Sequence, residues 1–224
     1  MKWLRCVILS LWVMVTPFSW AHQDGQHDIT YFDHPFLLGD WYFINPHPED
    51  TPEGYRSIHV QLRSDYRFQI DVKKQDHSVQ HWQGHFSAND EALQFQFTNG
   101  EKHNYAYQGS HNTLYMNGLY FYKALPRELA GQWKSDDVKN LEARGKHAVD
   151  HIELLIKPDF VFLFRSVTSQ GDETVHQGVF YIEQNHFVFM YEHGQHDAKY
   201  SLHNDTMTLD MENGSLLTTL SRAP

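Results

Sequence analysis

Leu37-Leu38-Gly39-Asp40-Trp41 and Leu129-Ala130-Gly131-Gln132-Trp133 are two versions of one phrase, 92 residues apart. Further pairs follow in the same order. Ser64-Asp65-Tyr66-Arg67-Phe68 matches Pro158-Asp159-Phe160-Val161-Phe162, and Gln83-Gly84-His85-Phe86 matches Gln177-Gly178-Val179-Phe180. Leu93-Gln94-Phe95-Gln96-Phe97 matches Phe187-Val188-Phe189-Met190-Tyr191; Gly100 falls on Gly194, Tyr107 on Tyr200, and Asn117-Gly118 on Asn213-Gly214. The offset drifts only from 92 to 96 along the chain. Ordered matches at a nearly constant offset mark an internal duplication. The repeats span residues 34–124 and 126–223 and join through Ala124-Leu125-Pro126-Arg127-Glu128. So short a linker presses the lobes together. A lobe of about 90 residues gains from such mutual burial, because small domains bury little of their surface.

Within each repeat the apolar period is two. Tyr66, Phe68, Ile70 and Val72 alternate with Arg67, Gln69, Asp71 and Lys73; Leu93, Phe95 and Phe97 alternate with Gln94 and Gln96; Phe160, Phe162 and Phe164 alternate with Val161 and Leu163. This is the pattern of strands with one face in a core and the other in water. Turn residues punctuate the runs at Arg63-Ser64-Asp65, Ser87-Ala88-Asn89-Asp90, Asn99-Gly100, Asn112 and Asn117-Gly118. Asn-Gly favours two-residue hairpins, whose central residues take positive φ. In the first repeat the pattern predicts strands near 38–44, 57–63, 66–73, 79–86, 92–97, 103–108, 113–116 and 119–123. The second repeat copies them, with a more continuously apolar Ile152–Phe164. The fold class is therefore all-β: two tandem small antiparallel β-barrel or sandwich repeats with little helix. A long connection follows the first strand of each repeat, at Asn45–Arg56 and Lys134–Asp150. In the second, Asp136–Arg144 reads as a short helix.

The chain opens with Met1-Lys2-Trp3-Leu4-Arg5, continues with an apolar run from Cys6 to Val15 and reaches Ser19-Trp20-Ala21. A basic start, a short apolar stretch and a small-x-small ending describe a secretory signal peptide, residues 1–21, cleaved after Ala21. The apolar run is shorter than the ~20 residues that span a bilayer comfortably. No later stretch is apolar enough for a membrane span, so a periplasmic or secreted protein is expected. Cys6 is the chain's one cysteine. Beyond the signal peptide there is no thiol for a disulfide, a metal or a nucleophile, and the fold must rest on packing. The formal charge is −10 with histidine neutral, and removal of Lys2 and Arg5 takes it to −12. That argues against nucleic acid and anionic membrane surfaces, which need clustered Lys and Arg.

Leu-x-Gly-x-Trp on a first strand, followed by about eight hairpin-connected strands, resembles the lipocalin-like (calycin-type) β-barrel domains, the short ones of bacterial exported proteins above all. The resemblance covers nearly all of the mature chain and rests on a short motif that recurs. It implies that Trp41 and Trp133 plug the closed end of each barrel behind Gly39 and Gly131. It also implies that a basic residue of the last strand, Lys123 or Arg222, lies across each Trp face, where a cation is attracted to the ring. The long loop after the first strand corresponds to a lid over the open end. These repeats are shorter than a lipocalin, so the resemblance carries the fold and not a roomy ligand pocket.

All 17 histidines lie beyond the signal peptide. His77, His81 and His85 are closely spaced, as are His193 and His196, and His22 and His27. Neutral imidazole is a common ligand for zinc and copper. His193-Gly194-Gln195-His196 reads as a hairpin turn with chelating ends. His22, the mature N-terminus after cleavage, offers its α-amine and imidazole to copper. The competing reading makes these surface polar residues, since no spacing matches a known site. Trp82 is expected to reach the surface. Asp65 and Asp159 read as turn formers, and the Asp136-Asp137 and Asp172-Glu173 pairs as solvated loops. There is no Gly-x-Ser-x-Gly, no His-Glu-x-x-His, no phosphate-binding glycine loop and no dinucleotide fingerprint. No catalytic residue is assigned. The expectation is a non-enzymatic exported module without cofactor that binds a protein partner or a small apolar ligand. Protein contact is favoured, an inhibitor, immunity-type or accessory role being one form. The alternative is histidine-based zinc or copper binding.

Overall fold

The computed structural model describes residues 33–50, 54–140, 148–211 and 214–223. The expected signal peptide, residues 1–21, and His22 lie outside the described residues. Sixteen strands make two closed antiparallel barrels in tandem. The first contains β1 (Gly39–Ile44), β2 (Tyr55–Leu62), β3 (Arg67–Lys74), β4 (Val79–Ala88), β5 (Ala92–Phe97), β6 (Lys102–Gly109), β7 (Thr113–Met116) and β8 (Leu119–Lys123). The second contains β9 (Gly131–Asn140), β10 (Val149–Ile156), β11 (Val161–Thr168), β12 (Glu173–Glu183), β13 (His186–Tyr191), β14 (Gly194–His203), β15 (Thr206–Met211) and β16 (Leu216–Arg222). Each strand pairs with its neighbours in sequence, and β1 with β8 or β9 with β16 closes the ring. Closure removes most of the open edge that could pair with another chain. Among the described residues no helix is long and apolar enough to cross a membrane.

The duplication extends to backbone detail. A bulge at Arg56 in the β2–β3 ladder recurs at Asp150 in the β10–β11 ladder. Tyr66 and Phe160 both sit in the left-handed region (φ 60° and 65°), one residue before β3 and β11 begin. Each then accepts a backbone bond from Phe86 or Phe180 and packs its ring on the same residue. The preceding Asp65 and Asp159 accept the amides of Arg67 and Val161, as turn formers do. Gly84 and Gly178 stand where a Cβ would overlap the carbonyl oxygen of Gln96 or Met190. At Asn117-Gly118 both residues have positive φ, whereas at Asn99-Gly100 only the glycine does.

The predicted helix at Asp136–Arg144 is corrected over its first five residues. Asp136–Asn140 belong to β9, and 141–147 lie outside the described residues. Seven pairs from Leu216↔Asn140 to Arg222↔Trp133 zip β16 to β9, with one bulge at Asp136. Pairing that closes a barrel satisfies backbone groups a lone helical turn would leave open, so tertiary context overrides local propensity. The same strand takes in Asp136-Asp137, which therefore lie outside the expected loop; Glu173 opens β12, while Asp172 stays in the connection before it. The first barrel closes on fewer pairs, Trp41↔Lys123 and Tyr42↔Tyr122.

Aromatic and aliphatic side chains fill both barrels. Trp41, Phe68, Phe86, Phe95 and Phe121 are buried in one; Trp133, Phe162, Phe180, Phe187 and Phe189 in the other. One departure from alternation explains how the barrels meet. On β12 and β13 the outward pair Tyr181↔Val188 is buried, and it packs into the first barrel's core cluster. The matching outward pair of the first barrel, Ser87↔Gln94, is not buried. A strand buried on both faces reads as continuously apolar, which is why Phe187-Val188-Phe189-Met190-Tyr191 lacks the glutamines of its counterpart. Glu183 adds polar contacts, accepting the Ser64 amide at 3.1 Å and lying 3.9 Å from the Arg63 guanidinium. Val188→Gln, which copies Gln94, is expected to lower stability by roughly 1–3 kcal/mol through burial of an unpartnered amide. Gln94→Val should be neutral. Urea unfolding of the two variants checks this.

Candidate functional site

The repeated Gly-x-Trp places a large indole at one end of each barrel. Trp41 donates its indole N–H to the Leu37 carbonyl at 2.7 Å, and Trp133 donates to Leu129 at 2.9 Å. Both indoles are fully buried. The Lys123 ammonium lies 4.7 Å from the Trp41 ring centre and donates to the Phe36 carbonyl at 2.7 Å. The Arg222 guanidinium lies 4.3 Å from the Trp133 ring, donates to the Ala130 carbonyl at 2.6 Å and bonds the Glu128 carbonyl. Its Nε also pairs with Asp205 at 3.0 Å. Gly39 and Gly131 both have positive φ, and a side chain at Gly131 would collide with Arg222. These six residues form a structural plug at the end of each barrel.

Lys123 also faces Phe160 of the second barrel at 5.6 Å. Burial of its ammonium pushes its pKa down to about 7, partly opposed by Asp40. It lines an inter-barrel cleft of about 530 Å³ with Asp40, Arg63, Glu183 and Tyr200.

The opposite ends differ between the barrels. In the first, β4 extends beyond β5, because only Gly84–Ala88 of β4 pairs with it. The opening holds about 730 Å³ and is lined by Ile70, Trp82, Phe97, His103 and Tyr105. Trp82 is 38% exposed there. In the second, register puts His176 where Trp82 stands, Tyr191 where Phe97 stands and His196 where His103 stands. The Tyr191 hydroxyl lies 2.8 Å from His196 Nε2, and the His176 ring packs 4.5 Å from Tyr191. His176 has its pKa lowered by burial and by the neighbouring His196. His193 instead faces solvent beside Glu192, 3.9 Å away. The hairpin thus sends His193 and His196 to different surroundings. Among the described residues, the one group of three His, Cys, Asp or Glu with ligand atoms within 4.8 Å is His47, Glu49 and Asp50, all exposed.

The outer faces differ as well. On the first barrel, Tyr115↔Tyr120 pair across β7–β8 with rings 4.7 Å apart, and Tyr122↔Tyr42 pair across the closing seam. Exposures are 38% and 59% for the first pair, 57% and 37% for the second, and Ile44 beside them is 75% exposed. Tyr42 stacks on His59 at 4.5 Å. The corresponding pairs on the second barrel are Thr208↔Thr219 and Ser221↔Lys134. The tyrosine face is therefore no requirement of the barrel. Alternation in Thr113–Met116 and Leu119–Lys123 carries its signal, but only pairing shows that the four tyrosines share one face.

Beside the tyrosines runs a row of histidines and carboxylates. His59 Nε2 lies 2.7 Å from Asp40 and its Nδ1 3.6 Å from Asp71; His81 lies 2.7 Å from Asp71. The second barrel fills the same row with Lys134, Glu153, Arg165 and Glu173. The hydrogen bond to Asp40 is the main cause that raises the His59 pKa, against the opposing effect of burial.

No protein-family model matches the chain, and no curated protein matches it. Among solved structures, one of a protein of unknown function from the DUF3598 family of Nostoc punctiforme PCC 73102 is 10% identical, over 84% of this chain and 97% of that one. Its TM-score of 0.26 is too low to inform fold or function.

His59 is expected to titrate above its ordinary 6.5 and to move back towards it in Asp40→Asn, as read by NMR of the ring protons. A raised folded-state pKa contributes stability that is complete below pH 6.5 and lost as pH rises through the raised value. That loss should be confined to the first barrel. A His59 midpoint at or below 6.5 would contradict the arrangement.

Proposed function

We propose that this chain is an exported, non-enzymatic, lipocalin-like module that binds another protein through the tyrosine face of its first barrel. One observation carries the reading: the same strand positions hold Tyr115, Tyr120, Tyr122 and Tyr42 in one barrel and Thr208, Thr219, Ser221 and Lys134 in its copy. Both copies close, so the exposed rings answer to something other than folding. Tyrosine dominates contact energetics because it brings a large, stiff apolar surface with a polar tip. Contiguous exposed apolar surface on a soluble protein marks an interaction site. Export is supported by the Lys2–Ala21 pattern. The non-enzymatic reading is supported by the lack of any recognisable catalytic motif in the sequence. Aromatic and aliphatic side chains pack the core of both barrels, which favours contact on a surface over cargo held deep inside.

The partner that fits is an exported protein with an arginine- and lysine-bearing surface. Asp40 and Asp71 flank Tyr42, the whole chain carries −10, and tyrosine faces accept cations. The same charge disfavours a second copy of this chain as the occupant.

The test compares the mature chain with Tyr115→Thr/Tyr120→Thr, which copies Thr208 and Thr219 and leaves the seam pair Tyr42–Tyr122 intact. Cross-linking in an extract of the exported fraction, followed by mass spectrometry, should join a basic protein to β7–β8 of the wild type, salt-sensitively. The variant should lose it with Tm unchanged. Equal capture by the variant would overturn the reading, as would a wild-type homodimer that the variant abolishes.

A further inference from the structure

The open end of the second barrel gathers three metal-competent side chains, of which the first barrel matches only one, His103. His176, Tyr191 and His196 come from β12, β13 and β14 and turn inward at the mouth, all half-buried. The first barrel sets Trp82, Phe97 and His103 at these positions. Of the three positions only that of His196 is a histidine in both barrels; the other two carry the aromatic rings of Trp82 and Phe97 in the first. Gathering two imidazoles and a phenol in one half-buried place costs desolvation that apolar residues avoid, so the polar set asks for a reason.

We propose that His176, Tyr191 and His196 bind one borderline divalent ion, zinc or copper, at the mouth of the second barrel. The two imidazole rings stand 6.1 Å apart, centre to centre, and nearly perpendicular at 72°. Two imidazoles on one tetrahedral zinc, each nitrogen about 2.0–2.1 Å from the ion, place their ring centres roughly 5 Å apart, so the rings close by about 1 Å when the ion binds. The Tyr191 oxygen and His196 Nε2 are hydrogen-bond partners 2.8 Å apart, and an ion bound at about 2 Å sets neighbouring ligand atoms about 3.3 Å apart, a small opening of that pair. Imidazole nitrogens suit zinc and copper and reject the hard ions magnesium and calcium. Three protein ligands at an open mouth leave room for water or a partner's side chain in a fourth position. The site is distinct from His193, which points away beside Glu192, and from the exposed His47, Glu49 and Asp50.

The test uses the mature chain stripped of metal and titrated with Zn2+ against a chelating dye, then with Cu2+ by visible absorption. The expected result is one tight equivalent of Zn2+. His176→Trp, which copies Trp82, and His196→Ala should each weaken it by about 100-fold, while Tyr191→Phe, which copies Phe97, should weaken it by about 10-fold. His193→Ala should leave it unchanged. Cu2+ should give a phenolate charge-transfer band that Tyr191→Phe removes. Tyr191→Phe and His176→Trp introduce residues the first barrel already accommodates, so folding is checked by unchanged β-sheet circular dichroism. Zn2+ binding that persists in both histidine variants would overturn the site, as would no binding by the wild type.

Discussion

A cation laid across a buried indole is the contact from which each barrel is organised. Trp41 and Trp133 are too large for the end of a short barrel unless the chain before them, the last strand and the glycine two residues back all give way. Leu37 and Leu129 supply the carbonyls for the indole N–H groups. Lys123 and Arg222 cover the rings and tie the last strand to the backbone before the first. The two plugs use the same logic with different cations. Arginine's fork spans two carbonyls and Asp205, whereas lysine makes one bond and stays enclosed near the second barrel. A guanidinium stays charged when buried; an ammonium shifts its pKa, which is what happens at Lys123.

With the framework duplicated, the differences between copies become informative. Where both barrels need a feature, both keep it: the bulges at Arg56 and Asp150, the left-handed Tyr66 and Phe160, the glycines 84 and 178. Where they diverge, the cause lies outside the barrel itself. Tyr181 and Val188 replace Ser87 and Gln94 because that face of the second barrel lies against the first. The tyrosines of β7, β8 and β1 have no such burial to account for them, nor does the histidine–tyrosine set at the second mouth. The first barrel presents an outer surface and the second an inner one, so the duplication has freed each copy to specialise.

Much of this was legible in the chain. Alternation and the repeated Asn-Gly and Gly-x-Trp phrases located the strands because each signal acts within a few residues. β9 was misread beyond Ser135, since Asp136–Asn140 has no strand pattern of its own and is held by four pairs with β16, more than 75 residues away. The tyrosine face was half legible: the residues alternate, but their meeting depends on closure between β1 and β8. Of the mouth histidines, His196 was singled out beside His193, and His176 was out of reach. His193 and His196 lie close in sequence and diverge in space, while His176 and His196 are brought together only by the β12–β13–β14 register.

If the cation over the tryptophan holds the last strand and the linker to the first strand, Arg222→Met loosens both. Hydrogen exchange of this variant, read peptide by peptide, should be faster in Glu128–Trp133 and along the β9–β16 seam, with β2–β6 of the first barrel unchanged. Protection of the seam equal to that of the wild type would contradict that role of the cation.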